Sequence, residues 1–146
     1  LGSRGMYGSG PHTGYRVRPP AEHMAIANAR VHVTAMLETR GAFERLDEIA
    51  AVPGIDALTI GPTDLAQDLG VLGTPAQRDV LREHRVRLGE AARKHGKAVA
   101  MAVDTMEAVR EVIALGATIV NYSSDVGILR AGYTAAGAEI RRPKQT

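Results

Sequence analysis

The chain alternates short apolar segments with amphipathic ones, and this regularity constrains the fold more than any other feature. Apolar runs rich in β-branched residues predict four strands, at residues 31–38, 56–60, 97–103 and 118–122. Segments with helical spacing follow them, at residues 41–52, 63–69, 75–95, 104–115 and 124–138. Strands that alternate with helices run parallel and are joined by right-handed crossovers, so the sequence predicts an α/β fold.

Two architectures contain parallel strands of this kind, the open doubly wound sheet and the (β/α)₈ barrel. No G-x-G-x-x-G motif follows a predicted strand, so the dinucleotide-binding form of the open sheet has no support. A complete barrel needs about 250 residues. The chain has 146 residues and four strand–helix units, which correspond to half of a barrel.

The two ends of the chain differ from this regular part. Residues 1–19 are rich in glycine, serine, proline and arginine and show no periodicity, which predicts a loop or a disordered stretch. Residues 20–140, which begin with a predicted helix at 20–30, form the partial barrel domain. Residues 141–146 form a polar tail.

Composition excludes several classes of partner. The formal net charge is +2 and aromatic residues make up 3% of the chain, which predicts no nucleic-acid partner. The sequence has no apolar run of 18 residues, so we expect no membrane partner. The absence of cysteine fits a reducing compartment, and we expect a cytoplasmic protein.

Two carboxylates are predicted at the carboxyl ends of neighbouring strands. Glu38 ends the first strand, and Asp64 follows the second strand through the turn Gly61-Pro62-Thr63. Catalytic and binding groups gather at this edge of parallel α/β folds. Paired carboxylates suit a hard divalent cation such as Mg²⁺ or Mn²⁺, and helix N–H groups near Thr63 suit a carboxylate or a phosphate. A purely structural role is also open: Asp64 would then cap its helix, and Glu38 would be an exposed strand end.

The histidines lack the spacing of a metal pair. His84 and His95 lie on a predicted helix away from the strand ends and are expected to be solvated. His12 lies in the glycine-rich stretch, from which it could reach a site.

Longer motifs around the two carboxylates resemble the HpcH/HpaI aldolase family. They are Leu37-Glu38-Thr39, the segment from Leu46 to Asp56, and Ile60-Gly61-Pro62-Thr63-Asp64-Leu65-Ala66. The similarity covers nearly all of residues 20–135. The resemblance implies a class II, divalent-metal pyruvate aldolase and the C-terminal half of a barrel of the phosphoenolpyruvate/pyruvate superfamily.

The resemblance also implies roles for individual residues. Glu38 and Asp64 would be the protein ligands of Mg²⁺, Mn²⁺ or Co²⁺, and Gly61, Thr63 and Asp64 would contact the substrate. The implied reaction cleaves 4-hydroxy-2-oxo acids, as in the catabolism of aromatic compounds, to pyruvate and an aldehyde through a metal-stabilised enolate. The implied partners are a 2-oxo acid, an aldehyde and further copies of the chain in a homo-oligomer.

Two departures from the family pattern bear on activity. Met36 stands where the family usually carries a glutamine that contacts substrate, and a thioether cannot donate that hydrogen bond. The family's catalytic histidine and arginine lie on earlier strands that have no counterpart here. We therefore assign no catalytic residue in this chain, and we expect it to be a fragment with little or no activity alone.

Two other functions remain open. A half-barrel would expose two sheet edges and its inner face, so the chain could be a non-catalytic module that self-associates or binds a partner. It could also be a citrate- or malyl-CoA-type lyase of the same superfamily, although Gly61-Pro62-Thr63-Asp64-Leu65 favours the aldolase branch.

Overall fold

The structure is a computed structural model that describes residues 7–142. The chain divides into two compact units, Leu1–His32 and Val33–Thr146. The domain boundaries predicted at residues 20 and 140 stay predictions, and most of the predicted tail lies outside the described residues. No helix in the described part is long and apolar enough to cross a membrane.

The first unit contains one turn of 3-10 helix, Pro11–Thr13, and one α-helix, α1 (Pro20–Arg30). The turn is closed by a reciprocal pair of hydrogen bonds. The Gly10 N–H donates to the Thr13 hydroxyl at 3.1 Å, and this hydroxyl donates to the Gly10 carbonyl at 2.9 Å. Helix α1 has the predicted bounds and begins with proline, whose missing N–H would have no helical partner at that position.

The second unit is a four-stranded parallel sheet in the order β1-β2-β3-β4. Its strands are β1 (Thr34–Leu37), β2 (Ala57–Ile60), β3 (Ala98–Val103) and β4 (Ile119–Tyr122). Its helices are α2 (Arg40–Glu44), α3 (Leu46–Ala51), α4 (Pro62–Asp68), α5 (Gln77–Lys94), α6 (Met106–Ala114) and α7 (Asp125–Ile140). Sequential parallel strands joined by helices are the connectivity of a barrel segment, so the predicted fold class is confirmed.

One face of the sheet packs against helices and forms the core. Alternation along the strands brings Leu37, Leu58 and Val99 to this face, where each is at most 4% exposed. The helices contribute the rest of this cluster, chiefly Phe43, Leu46, Ala50, Leu65, Leu88 and Val112. The other face is more open, and Met36 on it is 59% exposed.

Two predicted elements need correction. Strand β1 begins at Thr34 rather than at residue 31, because the backbone of Val33 bonds to Asp56 before the ladder starts. The Val33 N–H donates to the Asp56 carboxylate at 2.7 Å, and the Val33 carbonyl accepts the Asp56 N–H at 2.9 Å. The single helix predicted at 41–52 is wrong, because Arg45, with φ −108° and ψ 20°, divides it into α2 and α3.

The helices predicted at residues 75–95 and 104–115 each begin two residues later, at Gln77 and Met106. The Thr74 hydroxyl donates to the Val71 carbonyl at 2.8 Å instead of capping, and α5 begins only at Gln77. Thr105 caps α6, because its hydroxyl accepts the Ala108 N–H at 3.1 Å. Competing hydroxyl-to-backbone bonds of this kind decide cap positions locally.

The histidines of α5 are not solvated, contrary to prediction. His84 is buried, with Nδ1 2.8 Å from the Val80 carbonyl oxygen and its ring edge-on to Phe43 at 4.7 Å between centroids. The His95 side chain is 19% exposed, and its Nε2 lies 2.9 Å from Asp47 Oδ1. His84, in the middle of α5, thus contacts α2, and His95, at the C-cap of α5, contacts α3.

We predict that the free-energy contribution of Asp47 depends on pH. The Lys94 ammonium, 2.7 Å from Asp47 Oδ1, and the His95 imidazole hold the pKa of this carboxyl below its usual value of 3.8. A carboxyl group whose pKa is lower in the folded state stabilises that state when the pH is above the pKa of the unfolded chain. This stabilisation is lost as the pH falls through the pKa of the folded state. Denaturation midpoints of the wild type and Asp47→Asn should differ at pH 7 and converge below about pH 4. A constant difference down to pH 2 would contradict this.

We expect Leu58→Ala to lower the free energy of unfolding by about 2–5 kcal/mol, because it opens a cavity in a fully buried site of the central sheet. Leu129→Ala is the matched control, since Leu129 is 59% exposed and should change little. Urea unfolding at low protein concentration measures both. An equal decrease in the free energy of unfolding of the two variants would contradict the assignment of Leu58 to the core.

Candidate functional site

The carboxyl ends of β1 and β2 lie side by side because the strands are parallel and in register. Leu37 pairs with Ile60, which are the last residues of the two strands. The Gly61 N–H continues the ladder and donates to the Leu37 carbonyl at 3.2 Å. Glu38 and Gly61 are therefore neighbours at this edge of the sheet.

Gly61 leaves the space that the Glu38 side chain occupies. A β-carbon at Gly61 would lie 2.6 Å from Glu38 Oε2 and 2.9 Å from Glu38 Cβ. The backbone of Gly61, with φ −84° and ψ 92°, is open to any residue. Glycine is therefore needed here for space, and the group that approaches it closely is the Glu38 carboxylate.

The segment that follows Glu38 is held at two points. Thr39 caps α2, and its hydroxyl accepts the Ala42 N–H at 3.2 Å. The Arg40 N–H donates to Asp68 Oδ2 at 2.6 Å, and Asp68 is the last residue of α4. The Asp68 carboxylate thus connects the turn after β1 with the helix after β2.

Thr63 and Asp64 lie in the first turn of α4, and both are exposed. Asp64 makes no capping hydrogen bond, because the cap position is taken by Gly61. In residues 7–142, the Asp64 and Glu38 carboxylates have neither a hydrogen-bond partner nor an ion pair. The edge therefore carries two carboxylates whose oxygens are free of protein partners.

A hollow of about 380 Å³ lies on the open face of the sheet at this edge. Gly61, Thr63 and Asp64 line it, and Glu38 flanks it through its contact with Gly61. Its other lining residues include Met36, Thr59, Ala100, Met101, Ala102 and Asn121.

Asn121 is a site residue that the sequence analysis missed. It lies on β4, two strands away from Asp64 along the sheet, and lines the same hollow. The available signal is a lone amide inside an apolar strand, Ile119–Tyr122. A side-chain amide supplies both donors and an acceptor, so Asn121 can bind a substrate oxygen.

The donor set at this edge is two carboxylates. Across residues 7–142, no three His, Cys, Asp or Glu side chains come together in a metal-binding group. Enzymes commonly bind Mg²⁺ through one or two carboxylates and leave the other positions to water and substrate. The chemistry of the two free carboxylates fits a hard divalent cation held in this way.

Sequential parallel strands with acidic side chains at their carboxyl edge are the arrangement of an enzyme barrel segment. The sequence profile of the HpcH/HpaI aldolase/citrate lyase family matches residues 11–131. The chain therefore belongs to this family, and the resemblance of its motifs is confirmed.

The relatives to which the chain is similar include named aldolases. The chain is 32% identical over 110 residues to the 5-keto-4-deoxy-D-glucarate aldolase of Shigella dysenteriae, covering 75% of this chain and 43% of the relative. It is 30% identical over 129 residues to the enzyme of the same name from Klebsiella pneumoniae, covering 88% and 49%. The chain thus spans a little under half the length of these relatives.

A solved structure shows the same fold. The HpcH/HpaI aldolase of Desulfitobacterium hafniense superposes with a TM-score of 0.79 at 30% identity, covering 100% of this chain and 56% of that protein. The four-stranded parallel sheet thus corresponds to about half of a family member, as expected for a partial barrel.

We expect Gly61→Ala to destabilise the protein by about 1–3 kcal/mol, because the added methyl group overlaps the Glu38 side chain. Gly41→Ala is the matched control. No atom lies within 4 Å of a methyl group added at Gly41. Gly41 lies in α2, and alanine has a higher helix propensity than glycine. Thermal unfolding of both variants measures the difference. A Gly61→Ala protein as stable as Gly41→Ala would contradict the tight contact.

Proposed function

We propose that the carboxyl edge of β1 and β2 binds a divalent cation and a 2-oxo acid, as part of the active site of a class II aldolase. The observation that carries the proposal is the pair of unpartnered carboxylates, Glu38 and Asp64, on either side of Gly61 at the ends of paired strands. Family membership and the names of the curated relatives support the reaction class.

In this proposal Glu38 and Asp64 are the two protein ligands of the cation. Bound Mg²⁺, Mn²⁺ or Co²⁺ would supply a Lewis acid that stabilises negative charge developing on the substrate's keto oxygen. The chain's own contribution is to hold the two carboxylates ready. Gly61 provides the space for Glu38, and the bond from Arg40 to Asp68 holds the segment that follows it.

The substrate carboxylate would be held at the start of α4. The N–H groups of Thr63 and Asp64 lie in the first turn, where backbone donors have no helical partner. The Gly61 N–H is already bonded to Leu37, so Gly61 contributes space rather than a donor. Asn121, across the hollow, is a further candidate for binding a substrate oxygen.

Met36 bears on substrate choice. Its side chain lines the hollow, and its sulfur lies 3.3 Å from the position that a β-carbon at Gly61 would occupy. A thioether offers no N–H or O–H donor, so the substrate is held without one at this position. We propose that this side of the pocket favours an apolar part of the substrate.

The proposed reaction cleaves a 4-hydroxy-2-oxo acid to pyruvate and an aldehyde. Proton transfer needs a base, and no residue of this chain is assigned that role. The chain spans about half the length of its relatives, and we propose that the remaining strands of the barrel supply the base and a charge-stabilising arginine. Loss of a catalytic base lowers rates by roughly 10²–10⁴-fold, so we expect the isolated chain to be a weak catalyst.

A non-catalytic assembly is the second candidate, because within residues 33–142 the outer strands β1 and β4 each pair on one side only and carry exposed apolar side chains. Met36 on β1 is 59% exposed and Ile119 on β4 is 39% exposed. Such surfaces favour association. A citrate-type lyase reaction, which the family also includes by name, remains the alternative chemistry.

We expect Mn²⁺ to bind the chain at one site, and Glu38→Gln and Asp64→Asn each to weaken binding by at least about tenfold, because each removes one of two anionic ligands. Water-proton relaxation measures Mn²⁺ binding without needing catalysis. Asp79→Asn is the matched control, because Asp79 also lies in the first turn of a helix, α5, and is not among the residues that line the hollow.

The same proteins decide between the candidate functions. Metal-dependent aldol addition of pyruvate to an aldehyde, absent in Asp64→Ala, would support the aldolase. Mn²⁺ binding that is equal in Asp64→Asn and Asp79→Asn would overturn the metal site. A stable dimer that binds no metal and has no activity would favour the assembly.

A further inference from the structure

The first compact unit contains a second hollow, which the proposed aldolase site does not use. Its volume is about 600 Å³, and every residue that lines it belongs to the Leu1–His32 unit. The loop before α1 contributes His12, Arg16 and Arg18, and α1 contributes His23 and Arg30. The size is that of a small-molecule pocket.

The lining is strongly cationic. Glu22 is the only acidic residue between positions 7 and 32, and Arg18 donates to it at 2.8 Å. In the part of the chain that the structure describes, the side chains of Arg16 and Arg30 have no ion pair and no hydrogen bond. Two guanidinium groups at this hollow are therefore uncompensated.

His23 is a second, independent observation. It is 8% exposed and lines the hollow, yet its ring has no hydrogen bond to any of residues 7–142. Its neighbour is the His12 ring, edge-on at 6.1 Å between centroids. An imidazole always carries at least one N–H. Among the described residues no fully enclosed side-chain nitrogen or oxygen lacks a hydrogen bond, so the ring nitrogens of His23 are accessible to solvent. This donor is free for a ligand in the hollow.

We propose that this hollow binds a small anion that carries two or more negative charges on oxygen, either a phosphate compound or a polycarboxylate. Guanidinium groups bind such oxygens through paired hydrogen bonds, which Arg16 and Arg30 have available. His23 supplies a less exposed donor. The proposal stands on the first unit alone and does not depend on the metal site.

Isothermal titration calorimetry of the whole chain in metal-free buffer tests this proposal, with pyrophosphate and tricarballylate as probes. We expect one saturable site, and binding about tenfold weaker in Arg16→Gln and in Arg30→Gln. Arg93→Gln is the matched control, because it removes an exposed arginine of α5 that also lacks a side-chain partner. It should bind as the wild type does. The three arginines are exposed, so the variants should remain folded.

The two probes distinguish the source of the anion. Tighter binding of pyrophosphate supports a phosphate compound, and tighter binding of tricarballylate supports a polycarboxylate. The proposal is overturned if neither probe binds, if Arg93→Gln weakens binding as much as Arg30→Gln, or if only a polyanion such as RNA binds.

Discussion

The in-register pairing of β1 with β2 is the constraint on which the candidate site depends. Because Leu37 lies opposite Ile60, the next residues along each strand, Glu38 and Gly61, meet at the carboxyl edge. A shift of one residue would turn Glu38 toward the helix-packed face, where an unpaired carboxylate is strongly disfavoured. The buried side chains of Leu37 and Leu58 oppose such a shift, so core packing and site geometry are set by the same register.

The site has little internal compensation for its charge. The Asp68 carboxylate accepts a hydrogen bond from the Arg40 N–H, and the Asp47 carboxylate contacts Lys94 and His95. Glu38 and Asp64 have no partner in residues 7–142. Two negatively charged carboxylates at the same edge of a sheet repel each other. Under the proposed function, a bound cation would relieve that repulsion and would supply the partner that both carboxylates lack.

Much of this could be predicted from sequence because it rests on periodicity. The strand–helix order and the buried positions Phe43, Leu46 and Leu88 follow from spacing alone. The break at Arg45 and the cap at Thr105 could not, because each is decided within a single turn, by the backbone angles of one residue and by one hydroxyl-to-backbone bond. Burial of His84 depends on Phe43, and the position of Asn121 in the hollow depends on sheet order. Such contacts between residues distant in sequence leave no local pattern.

The net charge of +2 shows why an average over the chain predicts binding poorly. It gives no reason to expect a long polyanion, whose binding scales with many phosphate contacts. It says nothing about small ions, which respond to charges within a few ångströms. Among residues 7–142, two carboxylates without partners lie at the edge of the sheet, and two guanidinium groups without partners line the hollow of the first unit. The proposed cation site and the proposed anion site are therefore both compatible with a nearly neutral protein.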